Sequence, residues 1–121
     1  MNKLLLHVLF SVAFFALLGT QNGFGQTPPT NSVALRVSDL TSEERDQLSN
    51  DLNANGALRI SFACVPAGII ILEPVDPGRS ANSVRALAAA ALIHRLPAER
   101  RSEVSMTTHD AEDLCAAARN H

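Results

Sequence analysis

Two thiols lead the short set of side chains in this sequence that could do chemistry, Cys64 and Cys115. A thiol pair can form a disulfide, hold a soft metal or exchange electrons. Three histidines, His94, His109 and His121, could add ligands. Their spacing argues against a shared centre. His109 and Cys115 are six apart on one expected helix, so they do not face the same way. No other close pair of soft ligands exists, and structural zinc lacks its usual spacing. Solvated histidines and core cysteines are the favoured reading, with no metal and no cofactor. Glu43-Glu44 and Glu112-Asp113 are adjacent acids at expected helix starts. Neighbours in sequence do not converge on a helix, so these acids complement the helix dipole rather than act as acid-base pairs. No Gly-x-Ser-x-Gly elbow surrounds a serine, and no glycine-rich phosphate loop is present. Arg100-Arg101 is too short a basic run for an anionic surface and reads as a solvated link. Nothing here supports an enzyme.

Composition narrows the setting. Met1-Asn2-Lys3 is a basic start, and residues 4–18 are apolar apart from His7 and Ser11. A polar, glycine-containing stretch follows to Gly25. This is the pattern of a secretory signal peptide over residues 1–25, with Gly23 and Gly25 at small-residue positions. The apolar run is 15 residues long, short of the roughly 20 of a spanning helix. The expectation is therefore an exported chain, periplasmic or secreted, with no membrane association after cleavage. That chain carries no lysine, and twelve acids against nine arginines give it a formal charge of −3. Lacking a basic stripe, and with Phe62 its sole Phe, Tyr or Trp, it is not a nucleic-acid binder. An oxidising compartment permits a Cys64–Cys115 disulfide, which closes a loop of about 50 residues worth ~4 kcal/mol in the chain-entropy model. Two buried free thiols remain the other reading of the same pair.

The elements that position these residues follow from periodicity. Residues 26–32 are a polar, proline-bearing flexible arm, and residues 33–121 form a single α+β domain. Val33, Leu35 and Val37 alternate with Ala34, Arg36 and Ser38 in a first strand. Thr41 and Glu44 make a capping-box pattern for a helix over residues 42–53, with Leu48 and Leu52 inward. Residues 56–74 read as a β-hairpin turning at Val65-Pro66-Ala67-Gly68. Alternation puts Ile60, Phe62, Cys64, Ile69 and Ile71 on one face, and Arg59, Ser61, Ala63, Ile70 and Leu72 on the other. The second strand is apolar on both sides and suits a central place. A helix capped by Asn82 or Ser83 turns Val84, Leu87, Ala88, Ala91 and Leu92 inward and is limited by Pro97. A weak edge strand at residues 103–106 and a last helix capped by Thr107 or Thr108 complete the chain. In that last helix Ala111, Leu114, Cys115 and Ala118 form the apolar stripe. The order is βαββαβ plus a C-terminal helix, a ferredoxin-like sandwich in its simplest arrangement.

Residues 37–73 resemble a heavy-metal-associated domain of the copper-chaperone type. The likeness lies in the strand-loop-helix start, the Asn55-Gly56-Ala57-Leu58 turn and the hairpin, and residues 83–96 match that family's second helix. The family's metal signature is a Cys-x-x-Cys pair in the loop after the first strand. The matching stretch here, residues 38–43, holds no thiol, so the resemblance implies the fold without the metal role. The function expected is that of a small exported bacterial protein whose non-catalytic domain binds a protein partner in the cell envelope. Its binding surface is expected at the hairpin edge or on the sheet face around Arg36, Arg59 and Ser61. The alternative is thiol redox or metal handling through Cys64 and Cys115.

Overall fold

Alternation and capping account for each element in turn. The structure is a computed structural model that describes residues 31–121. The segment read as a signal peptide, and the arm as far as Thr30, lie outside the described residues. Strand β1 is Val33–Val37. Helix α1, Ser42–Asn55, opens on the expected capping box. The Thr41 hydroxyl accepts the Glu44 N–H at 3.1 Å, and the Glu44 carboxylate accepts the Thr41 N–H at 3.1 Å. Each bond satisfies a backbone donor that the helix ladder leaves free. Gly56 ends α1 in the left-handed region, φ 78°, as glycine does at helix C-termini.

Strands β2, Leu58–Cys64, and β3, Ile69–Pro74, form the hairpin. Its turn closes through the Gly68 N–H to the Val65 carbonyl, 3.0 Å. Gly68 has φ 66°, and a β-carbon there would run into the Val37 carbonyl oxygen. The Gly68 carbonyl in turn accepts the Val37 N–H at 2.7 Å, so the turn locks onto the end of β1. Helix α2, Ala81–Leu92, is capped by Ser80, not by Asn82 or Ser83. The Ser80 hydroxyl accepts the Ser83 N–H at 3.2 Å. A 3-10 turn, Ala98–Arg100, leads into strand β4, Arg101–Val104. This strand starts earlier than alternation alone suggests, because the Arg100 carbonyl already accepts the Ser38 N–H at 2.8 Å. Helix α3, Thr108–Arg119, has Thr107 as N-cap with Asp110 completing a second capping box.

The four strands make an antiparallel sheet in the order β2-β3-β1-β4. The apolar run of β3 takes a central place, as its two-sided pattern requires. The larger core lies on one face, where Val33, Leu35, Val37, Leu58, Ile70 and Leu72 meet Leu48 and Leu52 of α1 and Val84, Ala88 and Leu92 of α2. A smaller cluster lies on the opposite face. There Ala34, Ile69 and Ile71 meet Ala111 of α3, with Phe62, Val104 and Met106 at its margin.

One part of the hairpin departs from simple alternation. Ile60 pairs with Leu72 while Phe62 pairs with Ile71, so Ser61 is an inserted residue, a β-bulge. A bulge shifts the pleat by one residue. Ile60 therefore joins the larger core instead of lying beside Phe62 and Cys64. Arg59, opposite Glu73, falls on the smaller-cluster face rather than with Ile70 and Leu72. The Ser61 hydroxyl donates to the Ile71 carbonyl at 3.3 Å within this irregular stretch. Phe62 is partly buried against the smaller cluster.

Candidate functional site

The loop between β1 and α1 is built around a guanidinium. Asp39 takes a left-handed conformation, φ 54°, which aspartate tolerates better than most side chains. Arg100 occupies the loop from the other side of the chain. Its Nε and Nη2 donate to the Ser38 carbonyl at 3.2 and 2.9 Å, and Nη2 also donates to the Asp39 carbonyl at 3.1 Å. Its Nη1 and Nη2 donate to the two Glu44 carboxylate oxygens at 2.6 and 3.1 Å. This fork is the geometry in which arginine binds carboxylates most strongly. Bonding to Arg100, and then to the Thr41 N–H, holds the Glu44 carboxyl down from its usual 4.5 to about 2. The same pairing raises Arg100 above its ordinary value. The oxygens of the loop between β1 and α1 thus already serve an internal cation.

Beside this clasp lies an open cleft of about 260 Å³ at the end of the sheet, lined in part by Arg36, Ser38, Glu99, Arg100, Arg101 and Ser102. Arg36 and Ser102 are direct partners across β1 and β4, and both are exposed. Helix α3 packs on β3 and is bridged to β2 at Cys64, which is level with Ile69 and Arg36 across the sheet. Among the described residues, Arg45, Arg59, Arg85, Arg95 and Arg100 each have a carboxylate partner. Arg36 and Arg101 have none there, and residues 1–30 contain no Asp or Glu that could supply one. Arg101 makes one hydrogen bond, from Nε to the Leu96 carbonyl at 2.9 Å. The cleft therefore brings together two arginines that form no ion pair, reaching it from opposite faces of the sheet, and the Glu99 carboxylate. Guanidinium groups favour carboxylate or phosphate ligands.

The other residues singled out from sequence are dispersed. Arg36 and Arg59 share the smaller-cluster face but sit at opposite ends of β3, level with Ile69 and Glu73. Arg59 is paired to Glu73 by a 2.5 Å contact, and Ser61 is taken up by the bulge. Cys64 and Cys115 do come together. Their Cα atoms are 5.9 Å apart and their sulfurs lie at disulfide distance. Both are buried, 1% and 5% exposed. His94, His109 and His121 are exposed, and His109 lies 3.5 Å from Asp113 one turn away. Among the described residues no group of three or more His, Cys, Asp or Glu side chains is placed to hold a metal ion. Glu43 accepts from Gln47 Nε2 at 3.1 Å while Glu44 turns to Arg100, so this acid pair diverges.

Two features escaped sequence reasoning, the Arg100 clasp and the cleft beside it. The Arg100-Arg101 doublet was the available signal, but it reads as solvated until a 3-10 turn carries Arg100 onto a loop 62 residues earlier. No protein-family model, curated protein or solved structure matches the chain. Among the described residues no helix is long and apolar enough to cross a membrane.

Proposed function

We infer that this chain is a small exported protein, released from a signal peptide over residues 1–25, whose domain of residues 33–121 is a non-catalytic module that binds a partner in the cell envelope. The observation that carries this reading is the open cleft lined by Arg36, Glu99 and Arg101, whose two arginines form no ion pair among the described residues. The βαββαβ element order and the strand order β2-β3-β1-β4 support a ferredoxin-like fold. They also agree with a degenerate relative of the heavy-metal-associated domain in which an arginine fills the metal loop. The paired, buried cysteines support an oxidising, exported location. The alternative, thiol redox or metal handling through Cys64 and Cys115, is less favoured. Thiol exchange needs access to a sulfur, and both cysteines are buried.

The reading is tested by capture from a cell-envelope extract with wild-type protein, Arg36→Glu and Arg59→Glu. The partner is retained by wild type and Arg59→Glu and lost by Arg36→Glu, since only the first arginine lines the cleft. Equal recovery by all three proteins would count against the cleft. Intact mass of the exported protein, with and without reductant and alkylation, locates the cleavage site and the bridge in one measurement.

A further inference from the structure

We propose that Asn55, at the end of α1, is a site of self-modification, at which the Gly56 backbone nitrogen displaces the side-chain amide and water completes the conversion to aspartate and isoaspartate. The Gly56 amide first gives its proton to solvent base, and its nitrogen bonds to Asn55 Cγ. The Cγ–Nδ2 bond breaks, and Nδ2 leaves as ammonia. Water then opens the cyclic imide at either carbonyl, giving the ordinary aspartyl or the isoaspartyl linkage. Nothing is oxidised or reduced. Water is consumed, ammonia is released, and the chain gains a negative charge. Such a reaction needs a residue after asparagine that lets the two groups meet, and glycine does so because it has no side chain. Asn55 and Gly56 are both exposed. Gly56 has φ 78°, and even a β-carbon built there would touch nothing, so no neighbour crowds the approach. Two other asparagines are held by their side chains. Asn31 Nδ2 donates to the Arg79 carbonyl, and Asn82 Oδ1 accepts from Arg85 Nη1 at 3.3 Å.

The fold decides where the nitrogen becomes free. The Gly56 N–H closes the last bond of α1, to the Leu52 carbonyl at 2.9 Å, so this end of the helix must fray before attack. The helix is built to fray from that point on. Leu52 is buried and Asp51 is paired with Arg95, which pins α1 as far as residue 52. Beyond it Asn53, Ala54 and Asn55 are all exposed, and the last turn has no basic side chain to complement the helix dipole. Exposed helix ends open at little cost, whereas pinned turns open only with the surrounding structure. Asn50 lies in the pinned part, and Asn53 is followed by Ala54, whose β-carbon hinders the approach that glycine permits. The product alters its surroundings. A carboxylate at residue 55 stands at the negative end of the helix dipole, where it is unfavourable. The isoaspartyl linkage also lengthens the backbone between Leu52 and Leu58, two buried anchors on either side of the turn. The contacts that must adjust are the Gly56 cap bond and the Ala57 carbonyl, which accepts the Val75 N–H at 3.0 Å.

The test incubates the exported protein at neutral pH, one sample folded and one in denaturant. Peptide mapping with fragmentation that separates the two linkages then locates every converted asparagine. In the folded sample isoaspartate is expected at residue 55 ahead of every other asparagine among the described residues. Folding should slow conversion at Asn50 about tenfold or more beyond its effect at Asn55, as the difference between a pinned turn and a frayed end implies. Asn55→Gln should remove the isoaspartate signal, since a longer side chain forms the ring poorly, and Asn53→Gln should leave it. Hydrogen exchange on the converted fraction should show the last turn of α1 losing protection while β3 keeps it. A folded sample without isoaspartate at residue 55, after the denatured chain has converted there, would overturn the proposal. So would equal slowing of Asn50 and Asn55 by folding, or conversion of Asn31, Asn53, Asn82 or Asn120 before Asn55.

Discussion

At the scale of single residues, Glu44 carries two tasks, as half of the α1 capping box and as the counter-ion of Arg100. Both favour its charged form, and its carboxyl sits at about 2 instead of 4.5. A group with a depressed folded-state pKa stabilises the fold fully above its unfolded value and loses that contribution as pH falls through the folded value. The window is therefore pH 4.5 down to about 2. The side chain is partly exposed, so screening by solvent limits the effect to about 1 kcal/mol. Asp51, bonded to Arg95, and Asp110, capping α3, are also lowered and add to the acid sensitivity in the same direction. Thermal unfolding of wild type and Glu44→Gln across this range isolates the one residue. The gap between the two proteins should be widest above pH 4.5 and close as pH approaches 2. A gap that stays constant with pH would mean that Glu44 acts through its cap geometry alone. The capping box itself was legible in the sequence, since Thr41 and Glu44 stand at the required spacing. The ion pair was not, because nothing local to residue 44 points to residue 100.

At the scale of elements, α3 depends on the disulfide more than any other helix. Its buried residues are only Ala111 and Cys115, and Leu114, expected to face inward, is 40% exposed. An alanine buries little apolar area, so packing alone holds this helix weakly. The cross-link supplies what packing lacks, by restricting the unfolded chain over a separation of 51 residues. Replacing both cysteines by serine should cost ~2–4 kcal/mol of global stability. Hydrogen exchange gives the more pointed readout. In the double variant the amides of α3 should lose protection well before those of β1 and β3, which sit in the middle of the sheet. Equal protection of α3 and the sheet would show that the helix docks without its tether. Sequence periodicity found α3, its cap and the inward aspect of Cys115. It overestimated the apolar stripe because Leu114 lies at the margin of a narrow contact that the disulfide, not side-chain volume, defines.

At the scale of the whole molecule, the sheet separates two cores of unequal size, and this inequality follows from which helices cover which face. Two helices bring Leu48, Leu52, Val84, Ala88 and Leu92 to one side, while a single helix brings one alanine to the other. The βαββαβ order and the central place of β3 were legible from alternation and from the two-sided apolar run at residues 69–72. Which face of the hairpin meets the larger core was not, because the choice turns on the bulge at Ser61. One inserted residue sends Ile60 one way and Phe62 the other, and no turn or glycine marks it in the sequence. A pair of substitutions measures the consequence. Ile70, fully buried in the larger core, should lose ~2–5 kcal/mol on replacement by alanine. Phe62→Ala removes more atoms, yet from the partly covered margin of the smaller cluster. It should cost well below the ~3–5 kcal/mol of a fully enclosed phenylalanine. Urea unfolding of the two variants decides the order. A larger loss for Phe62→Ala would assign the dominant core to the α3 side. That outcome would also undermine the weak docking of α3, since a helix over the dominant core would not need its disulfide to stay in place.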